Sequence, residues 1–218
     1  MPSIEDLRQQ VLTSIRETRA SLRAYMTETG QRPTFILDGP IALPDQELLA
    51  ECTILRTREE LLMRLPKHGI MGEVGTLHGD FAVQIMRSCE PKELHIIDIG
   101  FNNLNRENEV ALRSYGCEFH EGLSWEMISR FPDRYFDVLY IDADHSFDAV
   151  VKDLEQASRA VREGGLIVCN DYTLWGLWDF RPYGVIQAVN ALANKLRLPF
   201  VYFALQVSGY YDVALRNR

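Results

Sequence analysis

No apolar run in this sequence reaches the roughly 20 residues that cross a bilayer, and the opening MPSIEDLRQQ is polar. Neither a membrane span nor a secretory leader is expected, and the reading is of a cytoplasmic protein. Cysteine is sparse. Cys52, Cys89, Cys117 and Cys169 form no CxxC pair, which argues against a disulfide framework or a zinc–thiolate site and for buried, reduced thiols. Positive charge is short as well. The 23 Lys and Arg against 31 Asp and Glu leave a formal net charge of −8. That balance repels phosphate backbones, so nucleic acid is not an expected partner. The tightest basic stripe, Arg16, Arg19 and Arg23, reads as one solvated helix face. There is no internal repeat, no low-complexity tract and no GxGxxG turn; the last weighs against a nicotinamide-dependent enzyme.

What the sequence does contain is ordered alternation. Leu7, Val11, Ile15, Leu22 and Met26 recur at helical steps over residues 3 to 28, and Gly30 and Pro33 close that helix. Residues 31 to 56 read as irregular, punctuated by Pro33, Pro40 and Pro44. Thr57 and Glu60 suggest a capping box for a helix ending near Pro66. Thereafter short apolar runs alternate with helical stretches. The candidate strands are Ile70–Val74, Leu94–Ile99, Glu118–His120, Phe136–Ile141, Leu166–Cys169, Phe200–Ala204 and Tyr210–Leu215. Helices are expected over 78–89, 105–115, 124–131, 146–162 and 183–197. Continuously apolar strands imply burial on both faces. Strand–helix alternation then implies an α/β fold, a Rossmann-like doubly wound sheet of seven strands, mostly parallel. The last two strands follow without a helix and should pair antiparallel at one edge. The expected division is an N-terminal helical extension over 1–68 and a ligand-binding domain over 69–218. The apolar stripe of the first helix must bury somewhere, so the extension is expected to cover the acceptor side of the site or to mediate a homodimer or higher homo-oligomer.

In such sheets ligands bind beyond the carboxyl ends of the strands. After the first strand stands Glu73-Val-Gly75-Thr76-Leu-His-Gly79-Asp80, with two glycines for a tight turn and a helix start behind it. Asp98 ends the next strand, roughly 20 residues on, where an acid can accept the hydroxyls of a ribose. Tyr140-Ile-Asp142-Ala-Asp144-His145-Ser146 gathers two carboxylates and an imidazole at one strand end, with Ser146 as the expected helix cap. Asn170-Asp171-Tyr172 ends the neighbouring strand, so Asp142 and Asp171 should converge. Two hard oxygen ligands with an amide oxygen suit magnesium or a similar divalent cation. His78 reads as a turn residue, and His68, His95 and His120 as structural or surface residues.

These stations, in this order, resemble the class I S-adenosylmethionine-dependent methyltransferases. Glu73-Val-Gly75 through Gly79-Asp80-Phe81-Ala82 and Leu94-His-Ile-Ile-Asp98 are similar to their first two motifs. Tyr140-Ile-Asp142-Ala-Asp144-His145-Ser146-Phe147 with Asn170-Asp171-Tyr172 resembles the metal-dependent O-methyltransferases of the macrocin and cephalosporin type and of the caffeoyl-CoA and catechol type. The resemblance implies that Glu73, Gly75, Thr76 and Gly79 surround the methionine part of S-adenosylmethionine and that Asp98 binds its ribose. It implies that the turn carrying Glu121, Gly122 and Ser124 lies near the adenine. It further implies that Asp142 borders the cofactor and ligates a divalent metal with Asn170 and Asp171, and that His145 stands at the place of a catalytic base. The chain departs from the pattern at Asn170-Asp171, where the macrocin type has Glu-Asp, and after Asp98, where Ile-Gly replaces Pro-Trp. The expected activity is methyl transfer to a hydroxyl of a small molecule, aromatic or sugar-bearing; Tyr172, Trp175, Trp178, Phe180 and Tyr183 are expected either to form a lid against that acceptor or to pack onto the N-terminal helix or a second subunit. The alternative is a non-catalytic cofactor-binding or interaction protein on the same fold; acids at the ends of both strands argue against it.

Overall fold

The computed structural model describes residues 2–218, which divide into two compact units, Met1–Leu37 and Asp38–Arg218. In the first, helix α1 runs Ile4–Thr29. Ser3 and Asp6 form a reciprocal capping box at its start, and Gly30 ends it in the left-handed conformation at φ 66°. Leu7, Val11, Ile15 and Met26 lie exposed on it, and Phe35 meets Tyr25 edge-on with ring centroids 5.0 Å apart.

The second unit is a sheet with helices on both faces. In chain order it comprises β1 (Thr53–Leu55), α2 (Arg58–Leu62), β2 (Ile70–Val74), α3 (Asp80–Cys89), β3 (Glu93–Asp98), α4 (Arg106–Tyr115) and β4 (Glu118–Glu121). There follow α5 (Ser124–Ser129), β5 (Phe136–Ile141), α6 (Phe147–Ala160), β6 (Val161–Cys169), α7 (Val185–Leu196), β7 (Phe200–Ala204) and β8 (Asp212–Arg216). The strand order is β1-β7-β8-β6-β5-β2-β3-β4. Strands β2 to β6 run parallel, and β8 lies antiparallel between β6 and β7. The chain steps outward from β2 to β4 and then returns to β5. The reversal point, where ligands gather in such sheets, is the crevice between β2 and β5. No helix among the described residues is long and apolar enough to cross a membrane.

Two apolar layers hold the sheet. Val150, Leu154, Val189 and Leu192 of α6 and α7 pack with Ile97, Ile141 and Val213 on one face. Leu61, Ile85 and Leu112 of α2, α3 and α4 pack with Ile96, Val138 and Val168 on the other. Each fully buried aliphatic side chain contributes roughly 1.5–3 kcal/mol.

Two expectations change. The sheet has eight strands rather than seven, because Thr53–Leu55 pairs in parallel with β7. That three-residue strand, with two of its side chains exposed, is too short to show an alternation. The antiparallel β8 is interior because it inserts between β6 and β7, and β1 beyond β7 forms the edge. Residues 53 to 62 supply a strand and a helix to the second compact unit.

Candidate active site

The site begins where β2 stops. The Gly75 amide donates to the Ile97 carbonyl at 2.8 Å, and the Asp142 amide donates to the Val74 carbonyl at 2.7 Å. Three strand ends are thereby tied together. Gly75 has φ 87°, and a Cβ there would lie 2.0 Å from the Asp142 carbonyl oxygen, so only glycine fits. Gly79, at φ 79°, caps α3. Asp98 braces the turn from the next strand: Oδ2 accepts from the Thr76 and Leu77 amides at 2.8 and 3.1 Å, and Oδ1 from the Gly100 amide at 3.1 Å. Oδ2 is thereby filled, while Oδ1 keeps capacity for one more donor.

Beyond these strand ends opens a cavity of about 640 Å³, within the range of small-molecule sites. Of the residues read from sequence, Glu73, Gly75, Thr76, Asp98, Gly122, Ser124, Asp142, His145, Asn170 and Asp171 line it; Gly79 and Glu121 do not. Gly79 serves the backbone turn behind the wall, and the Glu121 side chain is exposed. Leu77, His78, Ile99, Leu123 and Trp125 are also among the lining residues. Leu77, His78, Ile99 and Leu123 lie within or beside the motifs read from sequence without a role assigned to their side chains, and Trp125 is not singled out there.

Polar atoms in the cavity fit a zwitterionic nucleoside. Glu73 is buried, and its Oε2 has no hydrogen-bond partner among the described residues; neither does the buried Thr76 hydroxyl. Burial, reinforced by the nearby Asp142 and Asp98 charges, pushes the Glu73 carboxyl up to about 8. An orphaned buried carboxyl of this kind matches an ammonium group. Asp98 offers an acceptor for a ribose hydroxyl, and Leu123, Trp125 and Ile99 offer apolar surface for a base. These residues suit S-adenosylmethionine.

At the ends of β5 and β6 the acids do converge. His145 Nε2 lies 3.3 Å from Asp142 Oδ1 and 3.3 Å from Asp171 Oδ2. Burial pulls the imidazole down, but the two carboxylates outweigh it and its pKa is raised; burial and Asp142 raise that of Asp171. Tyr183 stacks on the His145 ring with centroids 4.4 Å apart, and the Gly184 amide donates to the His145 carbonyl at 2.8 Å. Asp171 has φ 51°, a strained backbone for a non-glycine residue. Asp142, His145 and Asp171 form a cluster able to hold a metal ion.

Asn170 points elsewhere. Its side-chain carbonyl accepts a hydrogen bond from the Arg58 guanidinium. Arg58 Nε also donates to Asp212 Oδ2 at 3.1 Å, Tyr140 donates to the same oxygen at 2.8 Å, and Gln206 donates to Oδ1 at 3.0 Å. The expected third metal ligand is thus part of a buried polar network. Arg58 came from the segment read as an extension, and no local pattern marks it. Ser146 also differs from expectation: its side chain makes no cap. Asp144 accepts from the Ser146 amide at 2.7 Å, and Asp38 accepts from the Phe147 amide at 2.7 Å. None of the five aromatics read as a lid lines the cavity. Tyr172 packs against Phe200 and Phe203, Trp178 and Phe180 are exposed, and Tyr183 reaches the site through His145.

Comparison with known proteins agrees with this geometry. Residues 73–172 match a methyltransferase-domain family. An uncharacterised protein of Acanthamoeba polyphaga mimivirus is 25% identical over 152 residues, which cover 64% of this chain and 66% of that protein. The pyocyanin biosynthetic protein PhzM superposes with a TM-score of 0.57 at 14% identity, over 73% of this chain and 54% of PhzM. The geranyl diphosphate C-methyltransferase of Streptomyces coelicolor, solved with Mg2+, geranyl diphosphate and S-adenosyl-L-homocysteine, superposes with a TM-score of 0.55 at 12% identity, over 74% of this chain and 78% of that one. The matches thus span just under two thirds of the mimivirus protein and about half of PhzM. At such identities the structural likeness establishes the fold. Residues 73–172 thus match a methyltransferase domain, and the sheet has the fold shared with these S-adenosylmethionine-dependent methyltransferases.

Proposed function

We propose that the protein transfers the methyl group of S-adenosylmethionine to a hydroxyl of a small molecule, using the cavity at the β2–β5 crevice. The observation that carries this reading is the pairing of an orphaned, buried Glu73 with the Asp142–His145–Asp171 cluster in one cavity. Methyl transfer from a sulfonium is an in-line displacement from an activated donor. The protein's work is therefore positioning and removal of the acceptor proton. In this reading Glu73 receives the cofactor ammonium, Asp98 Oδ1 a ribose hydroxyl, and the Leu123–Trp125 wall the adenine. His145, held by Tyr183 and flanked by two carboxylates that favour its protonated form, takes the acceptor proton.

Asp142 and Asp171 are the residues that would hold a divalent cation such as Mg2+, which prefers oxygen ligands and leaves the imidazole free. When bound, such an ion supplies a lowered pKa to a hydroxyl it ligates. Asn170, engaged by Arg58, is not among its ligands in this reading. A metal-free reading is favoured by one observation: His145 Nε2 stands 3.3 Å from both carboxylates, which would stabilise the imidazolium formed as a neutral His145 takes the acceptor proton. Turnover of a hydroxyl acceptor after chelation, and after Mg2+ is added back, separates the two. Activity lost and restored supports the cation; full activity in chelator, abolished by His145→Ala, supports the imidazole alone. An acceptor screen in which no hydroxyl compound is methylated would refute both.

A further inference from the structure

A second cluster stands apart from the cavity, on the face of β3 and β4 covered by α5. His95 and Glu118 are register partners on these adjacent parallel strands, and His120 follows two residues on. His95 Nδ1 lies 3.1 Å from His120 Nε2 and 3.7 Å from a Glu118 carboxylate oxygen, which is 4.0 Å from His120 Nε2. We propose that His95, His120 and Glu118 form a binding site for an imidazole-preferring divalent cation, with Zn2+ as its type, that clamps edge strand β4 to β3.

The geometry is that of a ligand set. The point equidistant from the three donor atoms lies about 2.1 Å from each, the length of Zn–N and Zn–O bonds (about 2.0–2.2 Å). Two nitrogens and one carboxylate oxygen suit Zn2+, Ni2+ or Cu2+ rather than Mg2+ or Ca2+. His120 and Glu118 are partly exposed and leave a route and a fourth position for water, whereas His95 is buried.

A supporting layer stands behind the ligands. Tyr135 donates to Glu93 Oε2 at 2.6 Å, so its oxygen can accept from His95 Nε2 at 3.3 Å. That chain puts the His95 proton on Nε2 and turns the Nδ1 lone pair towards His120 and Glu118, as outer partners do for ligating histidines. His120 must move its proton to Nδ1 when the cation arrives, an exchange its exposure permits. Burial lowers the pKa of both imidazoles and keeps them neutral, the ligating form. Phe131 packs edge-on against both rings, at 4.9 and 5.1 Å, and limits their movement.

The site is distinct from the active-site cluster, because none of its three residues lines the cavity. It is connected to it through the chain: β4 leads from His120 directly into Gly122–Trp125, which do line it. A cation that fixes β4 would therefore steady the wall proposed for the adenine.

The test uses the full chain stripped of metal with chelator and titrated with Zn2+ alone. Asp142→Asn/Asp171→Asn is the background that silences the other cluster. One zinc site should persist in that background and weaken at least about tenfold in His120→Ala and in Glu118→Gln. Both substituted positions are partly exposed, so these variants should fold. Co2+ bound in that background should give the intense visible absorption of a tetrahedral site, lost with the same two variants. Zinc binding that is absent from that background, or unchanged by both His120→Ala and Glu118→Gln, would overturn the proposal.

Discussion

The Arg58 guanidinium bonds the Asn170 side-chain carbonyl while pairing with the buried Asp212 carboxylate 3.1 Å away. One arginine thus turns an expected metal ligand into a structural residue and neutralises an acid that water does not reach. Arg58→Ala should lower stability by about 3–5 kcal/mol, because Asp212 is left buried without its cation. Tyr140 and Gln206 still donate to it and place the effect towards the lower end. Thermal denaturation should show a fall of roughly 10 °C. Arg58→Met with Asp212→Leu should recover much of that loss.

Gly75→Ala places a methyl group 2.0 Å from the Asp142 carbonyl oxygen at φ 87°. The backbone joining β2 to β5 must shift, and the turn beneath the cofactor shifts with it. A destabilisation of about 1–3 kcal/mol is expected from the conformation alone. Denaturant unfolding should register it, together with loss of S-adenosylhomocysteine binding. Gly30→Ala, in open space at the end of α1, should leave that binding unchanged.

Glu73 predicts a pH dependence of defined sign. Its folded pKa of about 8 stands above the ordinary 4.5, so the folded chain keeps a proton that the unfolded chain has lost. The stability from this group is complete below about 4.5 and is lost as pH rises through about 8. A bound ammonium reverses the preference and expels the proton. S-adenosylhomocysteine affinity should therefore rise between about pH 6 and pH 8, with proton release visible by calorimetry in buffers of different ionisation enthalpy. Glu73→Gln should remove the release, weaken binding and make the cofactor-free protein more stable above neutrality.

Much of this site could be read from local pattern. The spacing from Gly75 to Asp98 marks a nucleoside turn, and acids at the ends of two adjacent strands must meet, as Asp142 and Asp171 do. What stayed hidden depends on register and on distant chain. Arg58 meets Asn170 across 112 positions, with no periodicity to announce it. His95 and His120 read as unrelated residues until β3 and β4 are aligned. Strand β1 is too short to show an alternation, and the caps of α6 come from Asp38 and Asp144 rather than from Ser146. The aromatic run from Tyr172 to Tyr183 is dense in sequence, but its members separate into core, solvent and a stack on His145.

The central claim is that the cavity beyond β2 and β3 binds S-adenosylmethionine. Calorimetric titration of the full chain with S-adenosylhomocysteine tests it most directly. The account predicts one site with a dissociation constant in the micromolar range, about −8 kcal/mol, weakened roughly tenfold or more in Asp98→Ala, where a charged acceptor is lost. No binding heat in the wild-type protein at about 1 mM ligand, or unchanged affinity in both Asp98→Ala and Glu73→Gln, would contradict it.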